Sequence, residues 1–258
     1  KIVILIAECL DMKLDVCPPN INISNYQFTV NKDHQIVYGI GAIKGVGEAA
    51  IEDLMRERQE NGPFKGLYDL CKRVDLRKVN RRVFEALIRG GAFDVFNDNR
   101  ASHMAELPTA IKVAEQHVKM AAVGQNDLFG LAVNAESRDD EIKDYADKVP
   151  VWSEKERLAF EKLALGLFLT GHPIDQYRNE LQNIVAGNLA SSLATIEKSR
   201  GKIDVRLAGI LVGVRTRQDR NGRMMGFATL DDKSARMDVT VYAEKFEVYK
   251  DILTADEV

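Results

Sequence analysis

Apolar positions recur in three different rhythms along this chain, and each rhythm predicts a different kind of element. The opening Ile2–Ala7 run is continuous and β-branched, which suits a strand, whereas Glu8–Met12 suits a helix; Pro18–Pro19 ends either one. Tyr26–Val30 and Ile36–Tyr38 flank polar Asn31–Gln35 and read as a small β-hairpin. From Gly39 to Asp94 the spacing turns helical, with glycine punctuation. Ile51, Leu54 and Met55 share one face of a helix over about Glu48–Gln59. Its acids (Glu48, Glu52, Asp53) come early and its bases (Arg56, Arg58) late, matching the helix dipole. A second helix runs over about Asn80–Arg89, with Asn80 as N-cap, Val83/Leu87 and Phe84/Ile88 as i,i+4 pairs, and Gly90–Gly91 as the stop. A further helix, broken at Pro108, continues to about Val123.

The pattern then lapses. Between Asn134 and Asp147 six acids face two bases, which marks Gly124–Val151 as a linker by composition. Ser153 and Glu156 form a capping box that opens another helix, with Trp152 placed to staple it, and Gly171-His172-Pro173 closes the apolar stretch that follows. From Ile203 the rhythm shortens to two. Val205–Arg217, Met224–Leu230 and Met237–Tyr242 are strands, Asp219–Arg223 with its Asn221–Gly222 is a hairpin turn, and Ala243–Leu253 is helical. Three strands and a helix make the front of an oligonucleotide-binding (OB) barrel, which needs five strands. The chain ends before the last two, so a longer parent protein is expected. The fold class is therefore α+β: a mainly helical region followed by a truncated β-barrel.

Composition narrows the function classes. The 258 residues are 45% hydrophobic and 29% charged, too apolar for bulk disorder. Lys plus Arg number 36 against 39 Asp plus Glu, a net charge of -3, which excludes a uniformly basic nucleic-acid binder and confines any phosphate-binding surface to a patch. No apolar run approaches the ~20 residues of a membrane span, and no signal-peptide cleavage site follows Ile2–Ala7. Cys9, Cys17 and Cys71 form no C-x-x-C pair and fit free thiols in a reducing cytoplasm; His34, His103, His117 and His172 lack ligand spacing, so no metal site is expected.

Four segments carry candidate chemistry. Gly39, Gly41, Gly45 and Gly47 match neither a dinucleotide fingerprint, since Lys44 stands where glycine is needed, nor a phosphate-binding loop ending in Gly-Lys-Ser/Thr. What fits is a tight turn feeding a helix: Lys44, Gly45, Val46 and Gly47 either present free amides to a DNA phosphate or serve chain geometry alone. Between Lys72 and Arg89 lie seven bases and two acids, with Arg77, Lys78, Arg81 and Arg82 crowding the turn beside Asn80, a single-sign block that calls for an anionic partner. Gln125-Asn126-Asp127-Leu128-Phe129 places an apolar pair behind a glutamine, either to enter a pocket or to fold back on neighbouring helices. Eight bases against two acids between Lys198 and Arg223 suit single-stranded nucleic acid or a solvated rim; Arg215, Arg217 and Arg223 with Phe227 are the single-strand candidates. No catalytic grouping is evident: Asp231–Asp232 sits at a strand end where Asp is common.

Taken together, Pro18-Pro19-Asn20-Ile21-Asn22, Tyr38-Gly39-Ile40-Gly41-Ala42-Ile43-Lys44-Gly45-Val46-Gly47-Glu48, Asn80-Arg81-Arg82-Val83, Gly91-Ala92-Phe93-Asp94, Leu169-Thr170-Gly171-His172-Pro173 and Thr229-Leu230-Asp231-Asp232 closely resemble the alpha subunits of bacterial DNA polymerase III. The resemblance covers essentially the whole chain. It implies the end of the fingers over 1–38, a tandem helix-hairpin-helix region binding duplex DNA over 39–123, a clamp-binding motif and acidic linker over 124–151, a helical connector over 152–202, and the N-terminal part of an OB domain over 203–258. It also implies that Gln125, Asp127, Leu128 and Phe129 bind the ring-shaped beta sliding clamp, and that the other partners are duplex DNA, the single-stranded template and the rest of the holoenzyme. The magnesium-binding palm of that family lies upstream, so no cofactor and no catalytic residue is expected here; the parent is a nucleotidyltransferase. Two rivals are a stand-alone nucleic-acid adaptor, which the incomplete barrel disfavours, and an error-prone polymerase paralogue.

Overall fold

In the computed structural model, residues 2–97, 99–122 and 149–253 are described, and they fall into two compact units, Lys1–Thr170 and Gly171–Val258. The first unit opens with helix α1 (Ile2–Asp11), so the β-branched start, which by propensity suits a strand, is helical together with Glu8–Asp11. Three very short strands follow: β1 (Val16–Cys17), β2 (Thr29–Val30) and β3 (Ile36–Val37). β2 and β3 pair antiparallel as the hairpin predicts, with Thr29 opposite Val37; β1 adds in parallel on the other edge of β3, a strand too short to show a period. Asn31 closes the turn by accepting the Asp33 and Gln35 amides on its Oδ1.

A single 3₁₀ turn (Ile40–Ala42) leads to helix α2 (Glu48–Asn61), followed by α3 (Leu67–Arg73), α4 (Arg81–Arg89), α5 (Arg100–Ala122) and α6 (Glu154–Leu165). Their buried faces form one core from Ile6 to Leu167 that includes Tyr38, Ile51, Leu70, Phe84, Leu87 and Phe93. Helix α5 runs unbroken through Pro108, against the expectation of a break there. Pro108 faces solvent, and Leu107 and Ala110 on either side are buried, so packing outweighs one lost backbone bond. Gly39 and Gly41 lie where an added Cβ would meet backbone atoms of Tyr26–Phe28 at 2.7–2.8 Å, which is why this crossing admits only glycine.

Helix α6 belongs to the first unit. Ser153 and Glu156 form the reciprocal capping box, Trp152 packs on Phe160 with ring centroids 4.5 Å apart, and Gly166 ends the helix in the left-handed region. Beneath it Arg100 and Glu161 meet inside the unit, exposed by only 3% and 0%. Arg100 also pairs with Asp94 at 2.6 Å, while Glu161 accepts the Thr170 amide at 2.8 Å and its hydroxyl at 2.6 Å. Burial opposes the Arg100 charge, yet the two carboxylates outweigh it and raise its pKa.

The second unit begins with a 3₁₀ turn (Pro173–Tyr177) and the helices α7 (Arg178–Leu181) and α8 (Leu189–Lys198). A meander of β4 (Ile210–Gln218), β5 (Met224–Asp231) and β6 (Arg236–Val241) follows, then α9 (Ala243–Tyr249). The sheet is antiparallel in the order β4-β5-β6 and is not closed. Asp219 makes the β4–β5 turn by accepting the amides of Asn221 and Arg223, with Gly222 at φ +79°. His172 ties the start of the unit to the end of β5. Its Nδ1 accepts the Ile174 amide, so Nε2 carries the proton that faces Asp231 Oδ1 at 3.3 Å. Asp231 is buried, but His172, the Lys233 amide and Arg236 overcome that and hold its carboxyl below the usual carboxylate range.

Candidate nucleic-acid interface

The first turn is built from glycine. Gly45 sits at φ +88°, a left-handed conformation that other residues adopt at a cost, and its Cβ position lies 3.9 Å from Ala86 of α4. Val46 is buried as the anchor of the turn, while Lys44, Gly45 and Gly47 are exposed. The backbone of Lys44 is fixed by its amide, which donates to the Ala164 carbonyl at 2.8 Å. Gly47 is the N-cap of α2 and has no side chain to cap it, so the helix opens with first-turn amides that no side chain accepts. With Lys44 alongside, those amides and the positive end of the helix dipole form an anion-receptive edge.

The second hairpin, α3–turn–α4, works differently. Lys78 and Val79 donate their amides to the Asp75 carbonyl at 2.9 Å each, which closes the turn. Asn80 then accepts the Arg82 and Val83 amides at 3.0 and 3.3 Å, so the start of α4 is already capped. What this hairpin offers is side-chain charge, and most of it is engaged on its own chain. Arg77 chelates Asp75, Arg81 pairs with Glu85 at 2.8 Å, and Lys78 lies 3.7 Å from Asp53. Arg82, exposed on the first turn of α4, has no acidic partner among the described residues.

Two of the seven bases between Lys72 and Arg89 are structural. Arg73 spans the Pro63, Glu57 and Gly62 carbonyls and lies over the Phe64 ring at 4.5 Å; Arg89 sits near Glu85 and 5.7 Å from the Phe160 ring. A count along the sequence cannot separate such residues from a solvent-facing patch. Sequence reasoning also missed Asp53, read there only as an early acid suited to the helix dipole. Its side chain is 1% exposed, and from α2 it accepts the Asp75 amide at 2.8 Å while pairing with Arg56 and facing Lys78. The one signal available was position: Asp53 lies two residues after Ile51, beside the apolar stripe.

In the second unit Arg215 pairs across the sheet with Phe227 and Arg217 with Met225, which puts both arginines and the aromatic ring on one face. The opposite face carries Gly226, whose Cβ position would lie 2.7 Å from Phe246 of α9, so α9 covers that side and leaves Arg215, Arg217 and Phe227 exposed. Arg223 is held apart from this group at the turn, where Asp219 accepts from its Nε at 3.1 Å. The sheet thus gathers three of the four single-strand candidates. Gln125, Asp127, Leu128 and Phe129 lie outside the described residues, as does nearly all of the acidic segment.

Among the described residues no group of three or more His, Cys, Asp or Glu could hold a metal ion, and no helix is long and apolar enough to cross a membrane. Two turns of unlike chemistry, one offering amides and one offering cations, are thus packed into a single helical unit. Residues 13–103 match the helix-hairpin-helix motif family. Over its full length the chain is homologous to DNA polymerase III subunit alpha: it is 47% identical to that of Pasteurella multocida, 45% to that of Haemophilus influenzae and 43% to that of Escherichia coli K12. In each case all 258 residues align, and the chain spans 22% of the relative's length.

Proposed function

We propose that this region holds a replicative DNA polymerase on its duplex product and on a sliding clamp, so that synthesis by the parent DNA-directed DNA polymerase is processive. The observation that carries the reading is the pairing of the uncapped glycine turn at Lys44–Gly47 with the basic turn at Arg77–Arg82, joined through Ala86 and Asp53. The Lys44–Gly47 turn takes one backbone phosphate through the amides at the start of α2 and the Lys44 charge; Arg77 and Lys78 in the turn before Asn80, and Arg81 and Arg82 on the helix that it caps, take others. Such contacts carry no base information, so the grip is independent of sequence and permits sliding.

The finer assignments follow from the same chain. Gln125, Asp127, Leu128 and Phe129 form the hook for the beta clamp, and the Arg215–Arg217–Phe227 face, with Arg223 at its edge, receives the single-stranded template in an OB-type sheet. Work in the bacterial cytoplasm as part of the polymerase III holoenzyme accords with this set of partners. The test is to titrate the chain separately with a duplex, a single strand and a purified clamp, over a salt series. Duplex affinity should fall steeply with salt, with a log–log slope of roughly -3.5 to -5.5 for four to six phosphates. Indifference to duplex at about 50 mM salt would overturn the reading.

A further inference from the structure

We infer that Asp53 is the positioning residue that sets the second hairpin's turn against the first hairpin's helix, and so fixes the spacing of the two phosphate contacts. The inference rests on the duplex-binding reading above. Asp53 lies on the second turn of α2, the helix whose start carries the glycine edge. Its carboxylate is buried, and it reaches out of its own hairpin to the other: Oδ2 accepts the amide of Asp75, the residue whose carbonyl closes the Arg77–Lys78 turn. Oδ1 faces Lys78 Nζ at 3.7 Å and pairs with Arg56. A buried carboxylate without partners is strongly disfavoured, so these three contacts have to be made together, and making them fixes where the turn lies.

The consequence is one of effective concentration. Two weak phosphate contacts reinforce one another only when their separation is held; a loosened turn makes the second contact an almost independent event. Charge alone predicts the opposite sign. Asp53 sits among bases that would face DNA, so removing its negative charge should strengthen duplex binding if electrostatics were its whole role.

The experiment compares Asp53→Ala and Asp53→Asn in the full 258-residue chain, by fluorescence anisotropy with a 20-base-pair duplex over a salt series and by thermal melting. Asp53→Ala is expected to weaken duplex binding by about tenfold, despite the added net positive charge, by loss of the held spacing. Asp53→Asn keeps an oxygen for the Asp75 amide, so it should recover most of that loss, although both variants remove the same charge. Equal or tighter binding by both variants overturns the proposal. If Asp53→Ala does not fold, Asp75→Pro against Asp75→Asn decides: both remove the carboxylate, but only proline removes the amide that Asp53 accepts, and Val74 already has the extended backbone that a following proline requires. Proline should then bind duplex more weakly than asparagine, and parity between them overturns the proposal. A wild-type chain that fails to bind duplex fails the functional reading itself, an outcome distinct from unchanged variants.

Discussion

Arg77 folds back on Asp75, two residues earlier, donating from Nε to one carboxylate oxygen and from Nη2 to the other at 3.0 Å each. The side-chain hydrogen bonds come first in lowering the Asp75 pKa, and the same bonds raise that of Arg77. A phosphate approaching this turn therefore meets a guanidinium already occupied by a competitor of the same charge, which likewise offers it two acceptor oxygens. Because the pair is at the surface, its dissolution is cheap, and the competitor tempers binding without preventing it.

Replacing that competitor should strengthen the grip. Asp75→Asn leaves the turn's backbone bonds in place and frees Arg77 for phosphate. Duplex affinity is expected to rise a few-fold at low salt, with the log–log salt slope steeper by at most about 0.9, the value of one phosphate contact that Asp75 no longer contests. Anisotropy titrations at four or five salt concentrations measure both, and no change in either affinity or slope would mean that Arg77 does not reach the duplex.

The same bookkeeping separates Arg81 from Arg82, neighbours that look equivalent in the sequence. Arg81 is neutralised by Glu85, whereas Arg82 has no acidic partner among the described residues. Arg82→Glu should therefore reduce duplex affinity more than Arg81→Glu, and the double charge reversal should flatten the salt slope by up to about 2. Equal effects of the two single variants would argue that phosphate readily displaces Glu85.

How much of this was legible in advance depends on how far each residue reaches. Asn80, the Ser153/Glu156 box and the Asp219–Gly222 turn signal themselves because each satisfies backbone groups within four residues of itself. The three long strands were legible because their alternation and the turn between the first two agree. Asp53 and Glu161 were not, since each serves a partner brought near only by tertiary folding, Asp53 the Asp75 amide and Glu161 the Arg100 guanidinium. Pro108 misled for the same reason: a local rule against helix was overruled by burial on both sides. The role of Arg73 was hidden too, because its carbonyl partners lie in the last turns of α2 and the loop that follows it.

Burial also gives one acid a near-neutral titration. Glu106 on α5 is largely buried with an unpartnered Oε1, and burial pushes its pKa up to about 7. A folded-state pKa raised above the unfolded value means that the folded chain binds the extra proton. Stability from this group is thus intact below about pH 4.5 and is lost progressively as pH rises to about 7. Glu106→Gln should flatten that stretch of the stability curve and raise unfolding free energy at pH 8, on the order of 1–2 kcal/mol after solvent screening. Urea unfolding at pH 5, 6, 7 and 8 provides the check, and parallel curves for the two proteins would count against it.

Removing half of the Arg100–Glu161 pair should be costly in a way that neutral replacement is not. Glu161→Ala leaves a buried guanidinium facing Asp94 alone and strips the Thr170 amide and hydroxyl of their acceptor. A loss of about 3–5 kcal/mol is expected from urea unfolding. Glu161→Gln keeps an acceptor for the Thr170 groups and should lose less. Because α6 packs through this pair, the same variants should expose Trp152, and a red shift of its fluorescence ahead of global unfolding reports that directly.

The proposed clamp contact makes the last and most separable prediction. Burying Leu128 and Phe129 is worth ~1.5–3 kcal/mol each. Association and ordering oppose this by at least ~4 kcal/mol, so the hook by itself is a weak ligand. On the proposed reading, once a ring encircles a duplex held by the hairpins, the second contact would become intramolecular at an effective concentration near the millimolar range, and the two weak contacts together would give long residence. Leu128→Ala with Phe129→Ala should therefore abolish clamp capture in a pull-down while leaving duplex affinity within about twofold, since the pair lies more than forty residues beyond Arg82 in the chain. The reciprocal variant, Arg82→Glu, should retain clamp capture and weaken duplex binding. If the double alanine variant still captured the ring, the hook would have to be sought elsewhere in the chain, and the hairpins would stand alone as a DNA grip.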